Sequence, residues 1–138
     1  MNLIIYFTIL TIIAVLMALM EKIAFHYEKS IFPQSGSWRD FCDVLMSYDN
    51  KYKNGDPKQG PKFPFSTTIL IMFTDLWHLT KFLWLILFIF IGFYDIQIIN
   101  LIFDLSDLLS KILDTFIVYT YIGLIHNLFF HFIFHKTR

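Results

Sequence analysis

Residues 2–20 read NLIIYFTILTIIAVLMALM, 19 positions without a single charge. Wound as a helix at about 1.5 Å per residue they reach roughly 28 Å, close to the thickness of a bilayer's hydrocarbon core. A secretory signal peptide is the competing reading. The stretch has neither a basic n-region nor a small-x-small cleavage site, which favours an uncleaved transmembrane helix. The rest of the chain agrees with a membrane setting. Of 138 residues, 57% are hydrophobic and only 16% charged, whereas a soluble domain carries about 45–50% apolar and about 25% charged residues. Seventeen Phe with five Gly and four Pro exclude collagenous and disordered classes. Eleven basic residues balance eleven acidic ones, so no charge bias points to nucleic acid. Cys42 is the one cysteine, which rules out an internal disulfide and a paired-cysteine zinc site.

Outward from the first span, Glu21, Lys22, His26, Glu28 and Lys29 mark its polar end. The helix is expected to run to about Ser30, before Pro33 breaks it. Residues 31–65 form the polar segment, with a short amphipathic helix expected around 38–47 and turns at Asn54-Gly55 and Asp56-Pro57. Ser66-Thr67-Thr68, following Pro64, reads as a helix N-cap. Residues 66–94 are apolar except for Asp75, His78 and Lys81. Their helical length, roughly 43 Å, exceeds a bilayer core, so 66–81 is expected near the interface with the span beginning near 82. From Gln97 to Asp114, polar residues recur every three or four positions and define one stripe of an otherwise apolar helix. That stripe suits an amphipathic helix on the outer surface, or a lined pathway if the helix spans. A final apolar span ends at His135, Lys136 and Arg138.

The spacing thus predicts an all-α integral membrane protein, one membrane domain over 1–138. Its parts are three transmembrane helices at about 2–24, 82–98 and 116–134, an ordered cytoplasmic loop over 31–65 and an outer interfacial helix over 99–115. Basic residues orient it. The first loop holds Lys22, Lys29, Arg39, Lys51, Lys53, Lys58 and Lys62, and the C-terminus adds Lys136 and Arg138, nine of the eleven. The positive-inside rule then sets the N-terminus outside and the C-terminus cytoplasmic, with a bacterial inner membrane the expected location.

This topology brings His26, His78, His131 and His135 to one membrane depth. Asp75 and His78 are spaced by three and His131 and His135 by four, so each pair shares a helix face. Imidazole and carboxylate suit zinc, iron or manganese, and a divalent-metal site is therefore sought among Asp75, His78, His131, His135 and His26. The bland alternative is a set of interfacial histidines that present polar tips to headgroups. A second candidate joins Lys51, Lys53, Lys58 and Lys62 to Ser66, Thr67 and Thr68. Lysines beside a helix N-terminus favour an anion or a phospholipid headgroup; a positive-inside loop contacting anionic lipid nonspecifically is the simpler reading.

At Lys51-Tyr-Lys-Asn-Gly-Asp-Pro-Lys-Gln-Gly60, Phe63-Pro64, Ser66-Thr67-Thr68 and Thr74-Asp75-Leu76-Trp77-His78-Leu79, the sequence resembles a family of small bacterial three-span membrane proteins. The resemblance covers about 51–82, with echoes at His26 and at 127–131. No activity attaches to that family, so the resemblance implies no catalytic mechanism. It implies that the loop and the Asp75/His78 segment form one site.

Two function classes follow. A noncatalytic subunit or interaction component leads, because 138 residues leave little room for a closed pocket and no catalytic motif appears. Its partners would be the lipid bilayer, other membrane proteins or further copies of itself, with no nucleic acid. The alternative is a metal- or headgroup-binding protein, with or without enzymatic activity, built on the cytoplasmic His/Asp/Lys cluster. An oligomeric transport pore lined by the 97–114 stripe is a third.

Overall fold

The computed structural model describes residues 2–93, 98–99, 103 and 106–136. Helix α1 (Leu3–Phe25) starts where Asn2 Oδ1 accepts the Ile4 N–H at 2.9 Å and ends at His26, whose N–H bonds Lys22 O. It is the central element, packed against both α4 (Leu76–Gly92) and α5 (Asp107–Leu128). The sequence shows why. Leu10, Ala14, Ala18 and Lys22 recur every four residues and are buried, together with Ile13 and Ile23. Alanine at 14 and 18 lets neighbouring backbones approach closely.

Helix directions follow from pairs of contacts. Thr11 Oγ1 meets Tyr121 Oη at 2.6 Å, and Glu21 Oε2 meets His126 Nε2 at 2.9 Å, so numbers rise together and α1 and α5 run parallel. The start of α4 lies beside α2 (Ser37–Cys42) and α3 (Ser47–Lys51). Arg39 of α2, with Asp43, Val44 and Leu45 just after it, also lines a groove with the end of α1. Helix α4 therefore runs opposite to the other two. Two helices, α1 and the Asp107–Ile133 stretch, are long and apolar enough to cross a membrane; α4 is apolar but shorter, at 17 residues.

Several expected boundaries move. Ser66-Thr67-Thr68 does not open a helix. Phe65 adopts φ 63°, the Ser66 hydroxyl donates to Lys51 O at 2.7 Å, and turns continue to Leu70. A hydroxyl spent on a distant carbonyl is not positioned to accept from its own first turn. The cap is Asp75, whose Oδ1 accepts the His78 N–H at 2.9 Å. The helix expected at 38–47 is α2, followed by a 3-10 turn at Val44–Met46 and then α3. The expected interfacial helix at 99–115 and final span at 116–134 differ more. Residues 107–115 are the opening turns of α5, continuous with the segment assigned to the span. No Pro or Gly lies between Asp107 and Ile122 to break it. Gln97, Asn100 and Asp104 of the polar stripe fall outside the described residues. Its last member turns inward: Asp114 is buried and accepts the Ile98 and Ile99 N–H groups at 3.1 and 2.7 Å.

The polar segment is ordered by its turns. Lys53 N donates to Gly60 O at 3.1 Å and Lys62 N to Lys51 O at 2.8 Å, closing the loop from both sides. Asn54 and Gly55 both take positive φ, and Asp56 Oδ1 caps the turn that Pro57 begins. Gly55 suits this turn because its φ of 71° favours glycine, and a Cβ there would press on the Asp49 side chain.

Candidate functional site

The start of α4 carries a heavily bonded carboxylate. Asp75 is fully buried. Its two oxygens lie 2.8 Å from His78 Nδ1, and Oδ2 also accepts from Ser47 Oγ at 2.8 Å and Thr74 Oγ1 at 3.1 Å. A carboxylate at a helix N-terminus meets unsatisfied N–H groups and the positive end of the dipole. Burial by itself pushes the Asp75 carboxyl up. The His78 ring and N–H and the Ser47 hydroxyl outweigh that and hold it below the usual carboxylate range.

His78 extends the chain outward. With Nδ1 donating to Asp75, its Nε2 is left to accept from Lys51 Nζ at 3.2 Å. Burial lowers the Lys51 ammonium below its ordinary value, with Asp75 pulling the other way. The result is a continuous line, Ser47–Asp75–His78–Lys51, that fastens α3 to the start of α4. A braced imidazole of this kind holds one tautomer and one ring orientation, the arrangement acid–base chemistry requires.

A second polar group closes the far end of α5. After Leu128 the helix widens into a π-turn at Phe129–Ile133, with Phe134 N bonding Phe129 O at 2.8 Å. The buried Lys22 of α1 donates there to Phe130 O at 3.0 Å, lies 3.2 Å from His135 Nδ1, and sits 4.5 Å over the Phe130 ring. Ile31 N to Phe134 O and Lys136 N to Lys29 O stitch the two chain segments together beside it.

No family model, curated protein or solved structure matches this chain.

The five residues considered for a metal do not assemble into one centre. Asp75 pairs with His78, His135 goes to Lys22, and the rings of His26 and His131 pack edge-on against Phe130. Among the described residues, no three His, Cys, Asp or Glu side chains converge as a metal ion requires. The physical reason is visible at both histidines with polar partners. An ammonium group already occupies a ring nitrogen of His78 and of His135, where a metal would need a free lone pair and no neighbouring cation. The zinc, iron or manganese site sought from spacing is thus replaced by two lysine–histidine contacts.

The anion set is dispersed in its bonding. Lys51 turns to His78, Lys62 Nζ donates to Asp49 O at 2.9 Å, and Ser66 is buried against Lys51 O. Lys53, Lys58 and Thr68 are exposed, and Thr67 is half-buried in a turn. The turn at 66–68 offers no long-helix N-terminus.

Spacing alone missed Ser47, Thr74, Lys22 and Asp114 as partners of buried groups. Thr74-Asp75 directly before an apolar run carries an N-cap signal as strong as Ser66-Thr67-Thr68. Lys22 had only its position, a charge two residues past an uncharged run. Its partner carbonyl lies more than a hundred residues away and leaves no local trace.

Proposed function

We propose that the chain is an integral membrane protein with three spans, acting as a noncatalytic component of a membrane assembly. The observation that carries this is the uncovered apolar surface of the outer helices. Phe82, Leu83, Leu85, Ile86, Phe88, Ile89 and Phe90 of α4 are all exposed, as are Leu108, Ile112, Phe116, Leu124 and Leu128 of α5. A monomer in water rarely exposes contiguous apolar patches of such extent. In lipid the same surface carries no penalty, and helix association rests on close packing and interhelical polar contacts such as Thr11–Tyr121. The α4 helix is short for a span, about 25 Å by rise, and its Asp75 and Lys81 end suits an interfacial position. The basic loop supports a cytoplasmic placement for that end, in a bacterial inner membrane.

Photo-crosslinking tests the assembly reading. A crosslinker at Phe88 or Phe116 should give discrete protein adducts in native membranes, from a partner or a second copy, while one at the buried Ala14 should not. Adducts with lipid alone at both outer positions would overturn it.

A second reading is favoured by the Asp75–His78–Lys51 line: an acid–base site at the membrane surface. It predicts that Lys51, lowered by burial, is acylated by an amine reagent near neutral pH faster than Lys53 or Lys58. Equal labelling of the three lysines would remove its support. The pore reading draws no support from Asp114, whose carboxylate is committed to backbone N–H groups.

A further inference from the structure

Between the end of α1 and α2 the fold leaves a groove of about 430 Å³, within the range of about 300–1,000 Å³ typical of small-ligand sites. Its apolar lining includes Ile23, Ala24 and Val44. Charged residues line it as well, and they balance: Lys29 and Arg39 against Glu28 and Asp43.

Two features describe what such a groove would hold. Phe25 and Leu45 also line it and are 78% and 83% exposed, so apolar side chains stand open at the edge of a polar site. An amphiphile, with a polar head and an apolar body, matches that arrangement. The second feature is Arg39. One of its nitrogens approaches Asp43 Oδ2 at 3.6 Å, longer than a hydrogen bond, so the guanidinium fork keeps donors for a ligand. Asp43 is buried and already accepts the Leu45 N–H at 3.0 Å, which leaves Arg39 the group free to turn toward an anion. Guanidinium matches a phosphate bidentately, and the exposed Glu28 carboxylate offers a partner for an ammonium.

We propose that this groove binds the headgroup of a zwitterionic phospholipid. The phosphodiester lies on Arg39, the primary ammonium on Glu28, and the acyl chains leave past Phe25 and Leu45. The balanced charge of the lining is the reason for a zwitterion. An anionic lipid would meet Glu28 and Asp43 with no cation of its own to offset them. The inference rests on the membrane placement under Proposed function, because the groove opens where α1 would leave the bilayer.

The test uses the full chain in nanodiscs of equimolar phosphatidylethanolamine and phosphatidylglycerol, with bound lipid counted by native mass spectrometry after gentle release. The wild type should retain one phosphatidylethanolamine with a preference of about tenfold, the equivalent of one charge-assisted hydrogen bond. Arg39→Gln should lose retention of both lipids. Glu28→Gln should keep retention but lose the preference. Both side chains are substantially exposed, and matching thermal unfolding confirms that the variants fold. Excess soluble phosphoethanolamine should leave the lipid bound; displacement by it would overturn a lipid as the occupant. Wild-type adducts in the ratio of the disc composition, or adducts unchanged by Arg39→Gln, would overturn the groove. Alkaline carbonate extraction separates the two levels. Release of the protein from membranes sinks the membrane reading itself, whereas membrane-retained protein without lipid preference sinks only the groove.

Discussion

Lys22 and Lys51 each place an ammonium 3.2 Å from a histidine ring nitrogen, yet the two contacts are built in opposite senses. At the start of α4 the buried charge is an anion, Asp75, and Lys51 is the outer, half-exposed member of the line. At the end of α5 the buried charge is the cation, Lys22, and its His135 partner is exposed. The helix termini explain the inversion. The start of α4 presents N–H groups and a positive dipole end, which an anion satisfies; the end of α5 presents carbonyls and a negative one, which a cation satisfies. Both termini lie at the same end of an antiparallel arrangement, so one face of the bundle needs both charges.

The comparison also ranks the consequences of breaking each region. Asp75→Ala should have the largest effect. It removes a helix cap and leaves Ser47 and His78 without their common acceptor, a loss of about 3–5 kcal/mol by the measure of broken buried pairs. Denaturant or thermal unfolding in detergent would read it, and a loss below that of Lys22→Met would reverse the ranking. Lys22→Met keeps the packing volume but strands Phe130 O, for an expected cost of about 1–3 kcal/mol. Because Lys22 holds the π-turn against α1, amide exchange should rise at Phe134 and Lys136, whose N–H groups bond Phe129 O and Lys29 O, and not at the start of α4.

Acid should divide the regions as well. The folded Asp75 carboxyl titrates below its unfolded value of about 3.9. Its contribution is therefore complete above that value and lost as pH falls through the lower, folded one. Unfolding midpoints of the wild type should drop below about pH 4, and the part of that drop due to Asp75 should vanish in Asp75→Asn. An identical acid slope in both would show that Asp75 contributes no proton linkage. The smallest expected effect lies in the loop. Gly55→Ala places a Cβ against Asp49 at a positive-φ position and should cost about 1 kcal/mol, read as a shift in unfolding midpoint.

Much of this architecture is visible in one dimension. The uncharged run to Met20 declares α1, and the turn chemistry of Asn54-Gly55 and Asp56-Pro57 declares the ordered loop, since each depends only on neighbours in the chain. At Asp114 the helical polarity is incomplete for the same reason. Periodicity shows that Asp114 shares a face with other polar groups, and says nothing of the Ile98 and Ile99 N–H groups it turns inward to bind. The candidate site was half legible: Asp75 and His78 stand three apart on one helix, so their contact is local. Histidines expected at one membrane depth need not share a centre, because depth would set one coordinate and leave rotation about each helix axis open.

Sequence by itself determined the all-helical class, the apolar excess and the residues that could carry charge into an apolar body, because these follow from composition and local spacing. Tertiary structure alone decided which partner each of those charges takes. Lys22 and Lys51 go to histidines where a metal was sought, and Ser47 reaches across from α3 to Asp75. The reason is energetic. A buried charge must find a partner wherever the packed chain presents one, and in this fold the helix ends, set by packing and not by spacing, present them.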